Sequence, residues 1–208
     1  MKALFSSLIA ASLLPASAAT VYSIDINDAN SPVTASGWTG LDTVNTGNGG
    51  SVTIGSIDFS IGSSDGARLR GTVGSPNPNA LTGDLAFYDG AGQAIILFIG
   101  GAGDLPAGDW QVEVWMHDAT SPLGDSIVGY RTGGAETIIN NNVAANATDA
   151  AISFTLTSDG ASAYDIFVRE NNAENRSRLN AVRLTSVPEP STGLLGLLGA
   201  LALLRRRR

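Results

Sequence analysis

One pattern repeats along the middle of the chain: a short run of alternating or β-branched residues, closed by Gly, Asn, Asp or Pro. A pattern of period two places successive side chains on opposite faces of a strand, whereas a helix would need apolar residues every three or four positions. The runs are Val21–Ile26, Ser51–Ile54, Ile57–Ile61, Ala67–Gly71, Leu85–Tyr88, Ala94–Ile99, Trp110–His117, Ser126–Arg131, Glu136–Ile139, Ala151–Thr157, Tyr164–Glu170 and Leu179–Thr185. Between them stand turn formers such as Thr46-Gly47-Asn48-Gly49-Gly50, Asp89-Gly90, Leu105-Pro106-Ala107-Gly108-Asp109 and Ser158-Asp159-Gly160. Many short strands without intervening helices predict an all-β fold, a single antiparallel β-sandwich of jelly-roll type.

Three of these runs carry the most information. In Val21–Ile26, the side chains of Tyr22, Ile24 and Ile26 share one face. Ala94–Ile99 is apolar throughout and is expected to be a central strand buried on both sides. Trp110–His117 alternates, with Trp110, Val112, Val114 and Met116 on a core face. Gln111, Glu113, Trp115 and His117 then fall on the opposite, polar face, where an aromatic needs a reason to be.

The two ends differ from this body. MKALFSSLIAASLLPASAAT opens with Lys2, continues through an apolar stretch and closes on small residues, the plan of a secretory signal peptide over residues 1–19, with cleavage after Ala18 or Ala19 by signal peptidase. At the other end, Thr192 to Leu204 is an uncharged Leu/Gly/Ala run followed by four arginines. Its roughly 20 Å as a helix falls short of the ~30 Å hydrocarbon core, so it is a marginal transmembrane helix, with the arginines suited to the cytoplasmic side of the inner membrane. Residues 20–186 are left as one domain. Setting both ends aside leaves 18 acidic residues and seven basic ones, all arginine, a net charge of −11. Such a surface disfavours nucleic acid and anionic polymers and is compatible with neutral sugars or divalent cations. The chain has no cysteine, which removes thiol chemistry and disulfides, and a single histidine, His117, which removes multi-histidine metal centres.

Val187-Pro188-Glu189-Pro190-Ser191, the short apolar run and the arginine cluster together resemble the PEP-CTERM sorting domain of Gram-negative bacteria. The resemblance spans 187–208 and implies recognition of Pro188, Glu189 and Pro190 by exosortase, a membrane-embedded enzyme of cysteine-transpeptidase type. It implies a protein that is transiently anchored in the inner membrane and ends at the cell surface or in the extracellular matrix. The body, with its opening VYSIDIN, its SGWTG and its closing Leu179–Leu184 strand, resembles the galactose-binding-like or malectin-like β-sandwiches. That resemblance implies carbohydrate recognition by loops or a sheet face, often with a structural calcium.

Candidate sites follow from side-chain chemistry. Asp25, Asn27, Asp28 and Asn30 gather oxygen donors of the kind calcium takes, or else form an Asx-rich turn that satisfies its own backbone. Trp38, between glycines, either stacks on a sugar or plugs one end of the sandwich. Trp115 beside His117, Glu113 and Gln111 combines aromatic area with hydrogen-bonding groups, as a sugar platform does, unless a crossing loop covers it. His117 next to Asp118 does not read as a catalytic pair, because strand neighbours point to opposite faces and no G-x-S-x-G elbow presents a nucleophile. The expectation is a non-catalytic protein, not an enzyme, with surface or matrix polysaccharide as its partner; a structural matrix protein is the alternative and a carbohydrate-active enzyme the third reading.

Overall fold

A computed structural model of the chain describes residues 18–30, 34–43, 49–62, 66–69, 81, 84–88, 93–118, 126–144, 149–171 and 177–188. Residues Thr20–Val187 form one compact unit; of a second unit, made from the two chain ends, only residues 18, 19 and 188 are described. The expected signal segment up to residue 17, the apolar run 192–204, Glu189 and Pro190 therefore lie outside the described residues. Among the described residues no helix is long and apolar enough to cross a membrane.

The unit is all-β. A first sheet orders β11 (Ile152–Ser158), β8 (Gly108–Trp115), β14 (Ala181–Ser186), β1 (Val21–Asp28) and β2 (Thr39–Thr43). A second orders β10 (Ala135–Val143), β9 (Ser126–Thr132), β12 (Tyr164–Glu170), β7 (Ala94–Ile99), β4 (Ile57–Gly62) and β3 (Ser51–Ile54). A third, small sheet orders β13 (Ser177–Leu179), β6 (Asp84–Tyr88) and β5 (Gly66–Leu69). The two larger sheets share one apolar cluster: Tyr22, Ile24 and Ile26 of β1 and Val112 and Val114 of β8 meet Phe59, Ile61, Leu97 and Ile99 from the other layer. Tyr22 packs on Phe59 at 5.5 Å and stacks on Trp110 at 5.6 Å between ring centroids. Each such fully buried aliphatic contributes on the order of 2 kcal/mol, so the sandwich is held by its core without any covalent staple.

The alternating faces of Val21–Ile26 and Trp110–Met116 are those the sequence predicts: Ile24, Ile26, Val112, Val114 and Met116 are all fully buried. Four features differ. The sandwich is not wholly antiparallel, since β1 and β2 pair in parallel, from Ile24↔Thr39 to Asp28↔Thr43. β2 itself has no alternating signature beyond Leu41 and Thr43, so only its pairing with β1 makes it a strand. The run Ala94–Ile99 is not buried on both sides, because Phe98 is 37% exposed.

The fourth difference is that Leu179–Thr185 is two strands in two sheets, broken at Asn180. The Asn180 backbone N–H donates to Trp115 O (3.0 Å) and its carbonyl accepts from Ile26 N–H (2.8 Å). Its side-chain Oδ1 accepts from His117 N–H (2.6 Å) and its Nδ2 donates to Asp84 O (2.6 Å). A fully buried asparagine with every one of these groups engaged lets the chain step from the small sheet to the large one without leaving an orphaned polar atom.

Candidate functional site

The first sheet turns a polar face outward. From β8 it carries Asp109, Gln111, Glu113 and Trp115, with Arg183 of β14 opposite Glu113 and Asp25 of β1 beside Gly40 of β2. Gln111 Nε2 donates to Ser153 Oγ (2.5 Å), and Arg183 lies 3.5 Å from Glu113 Oε2. Trp115 is only 6% exposed. Trp38 meets it edge-on at 5.0 Å, and the Arg183 guanidinium lies 4.4 Å above the Trp38 ring and 5.5 Å from that of Trp115. Leu81 and Ala181, with the partly buried Ala35 and Ala150, complete this small cluster. Cation–π attraction and mutual burial therefore already occupy the aromatic faces. Of the two readings open for Trp115, the geometry corresponds to the covered one, and Trp38 is the residue that covers it.

β8 ends at Trp115, and His117 lies beyond it, where its backbone N–H meets Asn180. Burial holds its pKa below the usual histidine value, with the Asp118 charge opposing. The Asp118 carboxylate itself is tied to Arg178 Nε (3.2 Å), both side chains being buried.

The oxygen-rich stretch on β1 is split. Asp28 Oδ1 accepts from the N–H (2.9 Å) and Nδ2 (3.0 Å) of Asn30, a local Asx turn. Asp25 and Asn27 point instead to the outer face and are fully buried under residues 34 and 35. Asp25 Oδ2 accepts from Ala35 N–H (2.7 Å), and Asn27 Nδ2 donates to Thr34 Oγ1 (2.7 Å) and Asp42 Oδ1 (3.2 Å). Among the described residues, Asp25 Oδ1 and Asn27 Oδ1 have no hydrogen-bond partner. Burial pushes the Asp25 pKa up to about 6, against the lowering effect of the Ala35 N–H. Two unpartnered oxygens fall well short of the six to eight that calcium takes, and among the described residues no group of three or more His, Cys, Asp or Glu is placed to hold a metal. The described side chains thus do not fit a calcium shell.

The second sheet's outer face offers what the first does not. Phe98 of β7 stands opposite Ser60 on one side and Asp165 on the other, and Asp165 in turn lies opposite Arg131. The ring lies across Gly62, where even a methyl group would overlap it, so the absence of a Cβ there lets the ring lie close to the sheet. Next to it, Phe167 is buried beneath the guanidinium groups of Arg131 (5.7 Å) and Arg169 (5.3 Å), which Glu136 bridges at 3.0 and 2.8 Å. Burial raises the pKa of Asp165, with Arg131 opposing. For Glu136 the opposite balance holds: burial would raise its pKa, but the two arginines together bring it below the usual value. The unbroken apolar run around Phe98 hides it in the sequence; its correlate there is the glycine at position 62, a neighbour across the β4–β7 ladder and not along the chain.

Ala18 and Ala19 are exposed and outside regular structure, as is Pro188. Residues 186–208 match the model of the PEP-CTERM protein-sorting motif. The motif supports an exported, membrane-processed protein that enters an exosortase-dependent sorting pathway. No curated protein matches the chain. Among solved structures it is similar to the YXIM protein of Bacillus subtilis, with 14% identity over 81% of this chain and a TM-score of 0.47. The match covers 40% of that protein.

Proposed function

We propose that the domain is a non-catalytic carbohydrate-binding module, sorted to the cell surface or secreted matrix of a Gram-negative bacterium, where it holds neutral saccharide. The observation that carries this reading is Phe98: a half-exposed aromatic laid over a glycine, on a rigid central strand, with Ser60 and Asp165 as its cross-strand neighbours. A flat ring complements the C–H-rich face of a pyranose, while hydroxyl and carboxyl groups one strand away reach its hydroxyls. The domain's net charge of −11 favours a neutral ligand over an acidic one and argues against nucleic acid. The Asp118 carboxylate is paired with the buried Arg178 guanidinium, which favours a structural role for it over a hydrolytic one. Glycan-array binding by residues 20–187, followed by calorimetry with the best ligand, tests the reading. Saturable binding lost in Phe98→Ala and retained in a folded Trp38 variant supports it; a blank array, or binding indifferent to Phe98, refutes it.

A structural role in the matrix without a small ligand is the second reading. The feature favouring it is the exposed β10 edge of the second sheet.

A further inference from the structure

β10 overhangs the sandwich. Residues 135–142 are exposed on both faces of the strand, with Ile138 at 50% and Ile139 at 37%. The layer beneath stops one strand earlier: Tyr130 of β9 stacks on Phe154 of β11 at 6.3 Å, and β11 is the edge of the first sheet. Among the described residues, no second layer lies under the inner face of β10.

The free backbone of this edge is set by the hairpin. Gly133 and Gly134, with φ of 56° and 88°, make a two-residue turn of the kind that fits the strand twist, and Thr132 pairs with Ala135. That flanking pair is hydrogen-bonded, so the next is not, and the alternation continues along the ladder. Glu136, opposite Arg131, and Ile138, opposite Gly129, therefore turn their N–H and C=O groups away from β9. Past Ile138 the register shifts twice, and the Asn171 side-chain amide donates to the Asn141 carbonyl. The regular open edge is short, from Ala135 to Ile138.

We propose that two copies of this chain pair through that edge, β10 against β10, antiparallel about a two-fold axis at Thr137. The occupant is argued from charge. Two domains of net charge −11 repel over most of their surfaces, but Ala135–Val143 carries a single charge, Glu136, already neutralised between Arg131 and Arg169. The strand has neither the lysine nor the proline that commonly guards an edge. An antiparallel two-fold is self-complementary: Glu136 and Ile138 of one copy exchange both backbone bonds with Ile138 and Glu136 of the other. It uses up the open β10 edge of each copy, giving a closed dimer rather than a fibre.

The test uses residues 20–187, which contain the whole described core. Light scattering over a concentration series should show mass rising from monomer to dimer. Ile138→Glu, which sets a carboxylate opposite the partner's Glu136, should hold the protein as monomer with an unchanged unfolding midpoint. Since the chain has no cysteine, Thr137→Cys introduces a unique thiol. At the axis it faces its own copy as a non-hydrogen-bonded pair with Cα atoms roughly 4.5 Å apart, within disulfide reach. It should cross-link under mild oxidation, while Thr155→Cys, exposed on β11, should not. A monomer at every concentration, a dimer that survives Ile138→Glu, or equal cross-linking at both positions overturns the proposal.

Discussion

Replacing Asp25 with asparagine isolates the free energy of one buried charge. The side chain is fully buried, one carboxylate oxygen accepts from the Ala35 N–H, and the other has no partner among the described residues. Burial raises its pKa from 3.8 to about 6, so the folded protein holds this proton more tightly than the unfolded chain does. The sign follows: the group's favourable contribution is complete below pH 3.8 and is lost as the pH climbs to about 6. At about 1.4 kcal/mol for each pKa unit, the whole loss is about 3 kcal/mol as an upper limit. The amide side chain of Asp25→Asn keeps an acceptor for Ala35 N–H and has no charge to desolvate. Urea unfolding of both proteins, in EDTA so that no divalent cation offsets the charge, should give nearly equal stability at pH 4. The variant should then gain on the wild type by about 2–3 kcal/mol at pH 7. Working with the difference cancels His117 and the other carboxylates, which titrate alike in both. A difference flat to within about 0.5 kcal/mol from pH 4 to 7 would mean that water or another donor reaches the Asp25 carboxylate in the folded state, and the account of this face would fall.

Other perturbations separate scaffold from site. Gly62→Ala adds the Cβ that overlaps the Phe98 ring, so it should weaken saccharide binding several-fold in calorimetry. Trp115→Ala empties the small cluster under Trp38 and should lower stability by about 3 kcal/mol in denaturant titration, with any binding through Phe98 kept. Asp118→Ala removes the carboxylate paired with the buried Arg178 guanidinium and should cost about 3–5 kcal/mol, read as a lower thermal midpoint. Asn180→Leu breaks the bonds to His117 N–H and Asp84 O together and should cost about 2–4 kcal/mol, visible as lost protection of the His117 amide in hydrogen exchange.

Much of the strand layout was legible because it is local. Alternation in Val21–Ile26 and Trp110–Met116 assigns inner and outer faces without knowledge of any partner, and the Gly, Asn and Asp clusters mark where the chain turns. Asp159 illustrates the turn chemistry: its carboxylate accepts from the N–H groups of Ser162 and Ala161, which holds its pKa well below the usual value. The candidate sites were less legible. The stretch Asp25–Asn30 reads as one cluster of donors, yet the end of β1 divides it into a solvent-side Asx turn and a buried pair.

By itself, then, the sequence determined an all-β body, the core faces of its alternating strands and a PEP-CTERM motif at the carboxyl end. Those properties depend on neighbours one or two residues away, or on a motif read as a linear string. Tertiary structure alone decided that Thr39–Thr43 is a strand, that Asn180 moves the chain between sheets, that Trp115 is covered and that Phe98 is not. Each of these depends on a partner brought in from far along the chain: β1 for Thr39–Thr43, Trp38 and Arg183 for Trp115, Gly62 for Phe98. Which face of a residue meets water is fixed by what packs across from it, and a single strand's pattern carries no record of that.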